Sequence, residues 1–220
     1  MITLNEIKQN KEVTEFINQS QLALLASEYT DHGINHVSLV SERARSIARQ
    51  MGMSLKDQEL CAIAGYCHDM GSFLSRSHHH YFGALLFHQI FHEKMAPKEL
   101  CLISQAISNH DKEEMSICNP IAAVLILADK SDVRRSRVLE KRMEKIKGDI
   151  HDRVNYATKE SDIVVNRKKK NITLKLKIDT NFVPVIEYFQ IFTARMIFCM
   201  NAAKFLGYKF GLVINNFKLL

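Results

Sequence analysis

Five residues of this sequence have side chains suited to one chemistry: His36, the adjacent pair His68-Asp69, His110 and Asp129. Imidazole and carboxylate together suit a divalent transition metal such as Fe, Mn, Zn, Co or Ni, whereas an all-oxygen set would favour Mg or Ca. All five fall near the ends of predicted helices, where polar groups interrupt an apolar period. Asp129 closes the run Ile121-Ala122-Ala123-Val124-Leu125-Ile126-Leu127-Ala128. A carboxylate left unpaired in such surroundings carries a heavy desolvation cost. A metal ion removes that cost, and so does an Arg or Lys partner.

The elements that must carry these residues are mostly helices. From about Lys11 to His151 apolar residues recur at helical spacing. One helix is expected from Ile34 to Met51, with Val37, Val40, Ala44, Ile47 and Ala48 on one stripe and Gly52 as its C-terminal cap. Ser54 to Asp57 reads as a capping box opening the helix that ends at His68-Asp69. Further helices are expected over Tyr81 to Lys94, Pro97 to Asn109 and Pro120 to Lys130, and a longer polar one from about Ser136.

Near residue 160 the period changes to two. Asp162 to Val165 and Ile172 to Ile178 alternate around a basic turn, Arg167 to Lys170, and predict a β-hairpin. Val183 to Leu206 returns to helical spacing, and Phe210 to Ile214 suits a last strand. The expected fold class is therefore mainly α, a helical bundle over residues 1–150 followed by a small basic ββαβ unit over 151–220.

Composition sets outer limits. A hydrophobic fraction of 46% with 25% charged residues is ordinary for a water-soluble chain, and no apolar run approaches the length of a membrane span. The opening residues show no secretory pattern, so a cytoplasmic location is expected. Five widely spaced cysteines without a C-x-x-C pair argue against a disulfide framework or thiolate zinc, and read as core thiols. The net charge of +6 is uneven: residues 150–220 hold 12 Lys and Arg against 5 Asp and Glu. That excess hints at a polyanionic partner, although a solvated basic surface is the commoner cause.

The order H … HD … D, with Val37 and Val40 following the first His and Ala128-Asp129 ending a helix, resembles the HD phosphohydrolase superfamily over roughly residues 30–135. The resemblance implies a helical bundle in which His36, His68, Asp69 and Asp129 hold one ion. Two-metal members add histidines, here His79 and His110, so one or two ions per chain are expected. His79 precedes Gly83-Ala84 as in the H-x-x-x-G-A pattern, with His78 and His80 leaving the choice within the triplet open. No Gly-Tyr-Pro follows His110, which disfavours the cyclic-di-GMP branch. Ala128-Asp129-Lys130 is similar to the A-D-K segment of symmetrical diadenosine tetraphosphate hydrolases.

The implied reaction is hydrolysis of a phosphate ester or anhydride in a nucleotide or related phosphorylated metabolite. Asp69 and Lys130 are the expected catalytic groups. Lys112, Lys130, Arg134 and Arg135 are expected to contact substrate, while Arg137, Lys141, Arg142 and Lys145 read as a solvated face. His32 shares a face with His36 and reads as a site-edge residue, whereas His88 and His92 suit surface or packing roles.

Two rivals stand beside this reading: an RNA-directed phosphodiesterase or phosphatase, and a non-catalytic nucleotide-binding module. The basic turn lacks the interleaved aromatics that stack bases, so nucleic acid is not the favoured partner. The favoured use of the C-terminal unit is assembly, by packing on the helical domain or on a second subunit to give a homo-oligomer. Neutralising Lys168, Lys169 and Lys170 together should then leave hydrolysis of small substrates unchanged, since exposed charges are screened beyond about 8 Å. A loss of RNA affinity in that triple variant would instead promote the RNA-directed reading.

Overall fold

The computed structural model describes residues 2–26, 30–111 and 117–220. Two N-terminal helices, α1 (Leu4–Gln9) and α2 (Lys11–Ala26), precede the expected series α3 (Ile34–Met51), α4 (Leu55–Cys67), α5 (His79–Phe91), α6 (Pro97–Asn109) and α7 (Pro120–Lys130). The ends follow local chemistry. Gly52 adopts φ 77° and its N–H caps the carbonyls of Ala48 and Arg49, a conformation that glycine enters without steric penalty. The Ser54 hydroxyl accepts from the Asp57 N–H at 3.1 Å, and the Asn119 side chain accepts from Ala122 N–H at 2.9 Å ahead of α7.

Helix α7 is the hub. Every residue after Pro120 is buried, including Asp129 and Lys130, and the helix packs against α3, α4 and α6. Helix α4 is likewise buried without interruption from Leu60 to Cys67. Apolar surface on all sides suits helices in the middle of a bundle. Close approach of α3 and α4 depends on Gly65: a Cβ there would lie 2.8 Å from Ser41 Cα and 2.9 Å from Ser41 N. The Ser41 hydroxyl reinforces the contact by donating to the Ala62 carbonyl at 2.7 Å.

The longer polar helix expected from Ser136 does not form. A 3₁₀ turn, Arg135–Arg137, is followed by two short helices, α8 (Met143–Gly148) and α9 (Ile150–Ala157). Two interactions break the run. Arg137 is buried and donates to the carbonyls of Asp31 and Asp132. Asp149 caps α9 by accepting from the Asp152 N–H at 2.8 Å. Arg137 is thus no part of a solvated face.

The expected hairpin is β1 (Thr158–Asn166) and β2 (Asn171–Ile178), paired antiparallel; α10 (Val185–Phe205) then crosses to β3 (Lys209–Ile214), which runs parallel to β2. A parallel neighbour requires such a crossover. A two-residue strand, β4 (Phe217–Lys218), extends the expected ββαβ order, and the sheet runs β1-β2-β3-β4. Ile172, Leu174, Leu176 and Ile178 alternate inward along β2, and α10 packs on α7 as well as on β2 and β3. Arg43 of α3 donates to the carbonyl of Ser131 at 2.8 Å and to that of Ser161, tying β1 to the end of α7. Cys61, Cys67 and Cys199 are buried thiols, whereas Cys101 and Cys118 are exposed, contrary to the core reading for those two. No helix among the described residues is long and apolar enough to cross a membrane.

The Gly65 contact yields a direct test. Gly65→Ala must push α4 from α3, and overpacking of this kind costs about 1–3 kcal/mol. The thermal midpoint should fall by several degrees. An unchanged midpoint would show that the two helices can part freely.

Candidate metal centre

Four histidines and two aspartates reach one place from five helix ends. His36 lies in the first turn of α3, His68 caps the end of α4 with Asp69 directly after it, His79 opens α5, His110 caps the end of α6, and Asp129 closes α7. Two glycines bring the start of α5 against the turn after Asp69. A Cβ on Gly71 would lie 2.3 Å from the His79 carbonyl and 2.4 Å from Gly83 N, and one on Gly83 would lie 3.2 Å from the His68 carbonyl. Both positions need the missing side chain for close backbone approach. Gly83 of the H-x-x-x-G-A pattern therefore serves to seat His79.

The six side chains form two groups that share Asp69. His36 Nε2 and His68 Nε2 are 3.2 Å apart, with Asp69 Oδ2 at 3.5 and 3.3 Å and Asp129 Oδ1 at 3.5 and 3.7 Å from them. On the other side, His79 Nε2 and His110 Nε2 are 3.1 Å apart, with Asp69 Oδ1 at 3.2 and 3.8 Å. Ligand atoms of His36, His68 and Asp69, of His68, His110 and Asp129, and of Asp69, His79 and His110 each lie within 4.8 Å of one another, and all six residues are buried.

The hydrogen bonds on the far side of each ring decide what the near side can do. His68 Nδ1 lies 2.8 Å from the Gly65 carbonyl, His79 Nδ1 2.7 Å from that of Arg76, and His110 Nδ1 2.7 Å from that of Ile107. His36 Nδ1 lies 2.7 Å from Asp132 Oδ2. Each partner is an acceptor, so each Nδ1 carries the proton and each Nε2 presents a lone pair inward. Opposed lone pairs at 3.1–3.2 Å beside two carboxylates demand a cation. The donor set fits divalent metal.

Electrostatics agree. Burial acts to raise the Asp69 pKa, but the neighbouring imidazoles, His68 first and then His110 and His79, outweigh it and hold the carboxyl well below its usual range. Burial likewise opposes ionisation of Asp129, and Lys130 and His36 overcome it. Burial acts to lower the His68 pKa, yet Asp69 and Asp129 raise it. His110 is pushed down to about 4, chiefly by burial, and so stays neutral near pH 7.

Other expected residues separate by position. Lys130 is buried, with Nζ 2.6 Å from Asp111 Oδ1 and 2.9 Å from Asp129 Oδ2. It also lines the pocket over the histidines, with its charge already paired to these two carboxylates. Arg134 donates through Nε to Asp132 Oδ1 at 2.7 Å, and Arg135 to the Tyr156 carbonyl at 2.6 Å while stacking on that ring. Neither lines the pocket over the histidines. Lys112 lies outside the described residues. His78 is exposed, and His80 is buried against Tyr81, which leaves His79 as the member of the triplet in the site. His32 does line the site, its ring 5.4 Å from that of His36, whereas His88 and His92 stack on each other at the surface.

Four functional candidates escaped sequence reasoning. Asp132 orients His36 from behind; its only signal was a second acid three places after Asp129. Asp111 pairs with Lys130. Arg76 places Nη1 3.2 Å from His79 Nε2 and Nη2 3.9 Å from Asp111 Oδ2. Arg195, from α10, lines a pocket of about 220 Å³ together with Asp69, His79, His110 and Asp129, and a single arginine in an apolar helix was the signal.

Asp132 is open to test, since burial opposes its ionisation while His36, Arg137 and Arg134 hold its pKa far down. Asp132→Asn preserves shape but can donate to His36 Nδ1, favouring the tautomer whose Nε2 carries hydrogen. Loss of such an outer partner typically weakens metal affinity about 10- to 100-fold. Titration with Mn or Zn reads the effect, and an affinity equal to the parent's would remove Asp132 from the site.

Residues 33–134 match the family model of the HD domain. No curated protein matches the chain. The matched stretch contains all six converging residues, and with the ordered H … HD … D set it carries an HD domain of the metal-dependent phosphohydrolase superfamily.

Proposed function

We propose that the chain binds two divalent transition-metal ions and hydrolyses a phosphate ester or anhydride in a nucleotide or related phosphorylated metabolite. The observation that carries this reading is the pair of opposed Nε2 contacts, His36 with His68 and His79 with His110, on the two oxygens of Asp69. His36, His68, Asp129 and Asp69 Oδ2 would hold one ion. Asp69 Oδ1, His79 and His110 would hold the other, with the Arg76 guanidinium turning from His79 toward Asp111. A divalent ion bound here supplies Lewis acidity and water acidified toward a pKa of about 7.

The protein's own groups do the rest. Asp69 belongs to both sets, so its rotamer fixes their spacing. Lys130 holds Asp129 and Asp111 in place through its two ion pairs. Asp132 and three backbone carbonyls keep the imidazoles in the ligating tautomer, a function carried out before substrate arrives. The buried walls exclude bulk water and strengthen charge interactions with a phosphoryl group.

Elemental analysis at metal saturation should give about two ions per chain, and His79→Ala and His110→Ala should each lose one preferentially. Asp69→Ala should abolish hydrolysis with the helical circular dichroism retained. A stoichiometry of one that neither histidine change alters would reduce the centre to a single ion, and no uptake of Mn, Fe, Co, Ni or Zn would falsify the reading.

Metal occupancy should also depend on pH, with a sign set by the shifts above. Asp69 and Asp129 remain ionised far into acid, so they contribute no step near neutrality. The raised pKa of His68 means that its proton competes with metal above the ordinary histidine range. Affinity should therefore rise with pH from mildly acid to neutral and level off above the His68 pKa. A flat profile across that range would exclude His68 as a ligand.

A further inference from the structure

Arg195 differs from every other cation around the pocket in having no carboxylate within ion-pair distance among the described residues. Lys130 is paired with Asp111 and Asp129, Arg76 lies near Asp111, and Arg137 is spent on the carbonyls of Asp31 and Asp132 and on Asp132 Oδ2 at 3.8 Å. The guanidinium carbon of Arg195 instead rests 4.6 Å from the Phe192 ring centroid, and the side chain lines the same pocket as Asp69, His79, His110 and Asp129. Burial and then Arg137 lower its pKa, as expected for a cation short of counter-charge. A guanidinium without a carboxylate is suited to planar, bidentate contact with an incoming oxyanion.

We infer that Arg195 anchors a phosphoryl oxygen of the substrate, so that α10 makes the C-terminal unit part of the substrate-binding site. The inference rests on the phosphohydrolase reading for the identity of the anion. The pocket is lined both by the candidate ligands Asp69, His79, His110 and Asp129 and by α10, which contributes Ile191, Ala194 and Phe198 beside Arg195. A phosphoryl group in this pocket would be within a space lined by both the candidate metal ligands and the guanidinium. The apolar residues leave room for a compact, weakly polar leaving group. At about 220 Å³ the pocket falls short of the roughly 300–1,000 Å³ typical of sites that enclose drug-sized ligands, and suits a single terminal phosphate. Arg195 lies outside the matched HD stretch, so the anchor is supplied by a part of the chain that the family match does not cover.

The test uses inorganic phosphate as probe. Phosphate is titrated calorimetrically into the 220-residue chain, once loaded with Mn and once treated with chelator, in the parent, Arg195→Met and Arg195→Lys. Mn content and thermal midpoint are measured on each sample. Arg195→Met keeps a flexible stem against Phe192 while removing the charge. It should weaken phosphate binding about ten- to hundredfold in the Mn-loaded protein, with Mn content and midpoint unchanged. Arg195→Lys should fall between, since an ammonium keeps the charge but not the fork. Equal phosphate affinity in Arg195→Met and parent, or no phosphate binding by the parent in either form, overturns the inference. A chain that takes up none of Mn, Fe, Co, Ni or Zn overturns the two-ion reading instead. An Arg195-dependent phosphate affinity in that chain would still uphold the anchor, and an Arg195-independent one would remove it.

Discussion

Mutual repulsion among inward-facing acceptors is the constraint around which the HD domain is arranged. Four Nε2 lone pairs and two carboxylates converge where little water reaches, and each ring is prevented from turning its proton inward by an acceptor behind it. Such a cluster is unfavourable until positive charge enters it. Lys130 and Arg76 supply part of that charge from the rim. The remainder is a demand that divalent metal can meet with nitrogen and oxygen ligands together.

Holding that cluster together is a backbone task as much as a side-chain one. His68 and Asp69 can face His36 because Gly65 lets α4 touch α3, and His79 can face Asp69 because Gly71 and Gly83 allow two backbones to meet. Helix α7 then delivers Asp129 through the centre of the bundle, anchored by an unbroken apolar surface. Ligand geometry is thereby coupled to the tightest packing in the domain. Small changes at these glycines would act on the His/Asp cluster through the helices that bear it.

The C-terminal unit has two relations to this centre. Its strands are fastened to α3 and α7 through Arg43, Ser131 and Ser161, and its helix packs along α7 and brings Arg195 into the pocket lined by Asp69, His79, His110 and Asp129. None of the basic turn residues Arg167 to Lys170 lines the pocket. Local charge density in the sequence was thus a poor guide to which cations line the pocket, because that depends on tertiary position and on existing partners rather than on number.

What the sequence determined by itself was whatever depends on local periodicity and on residue type. The helices carrying His36, His68 and Asp129, their glycine, serine and proline signals, and the hairpin with its basic turn all follow from interactions a few residues long. The ordered H … HD … D set was legible too, since the chemistry a metal centre would need is carried by residue type. The break after Arg137 was not, because it depends on a guanidinium reaching the carbonyl of Asp31, a contact between residues far apart in the chain. The same holds for choosing His79 over His78 and His80, for Asp132 behind His36, and for Arg195 over the pocket. Each of these is a relation between surfaces of different helices, and only the packed chain fixes which surfaces meet.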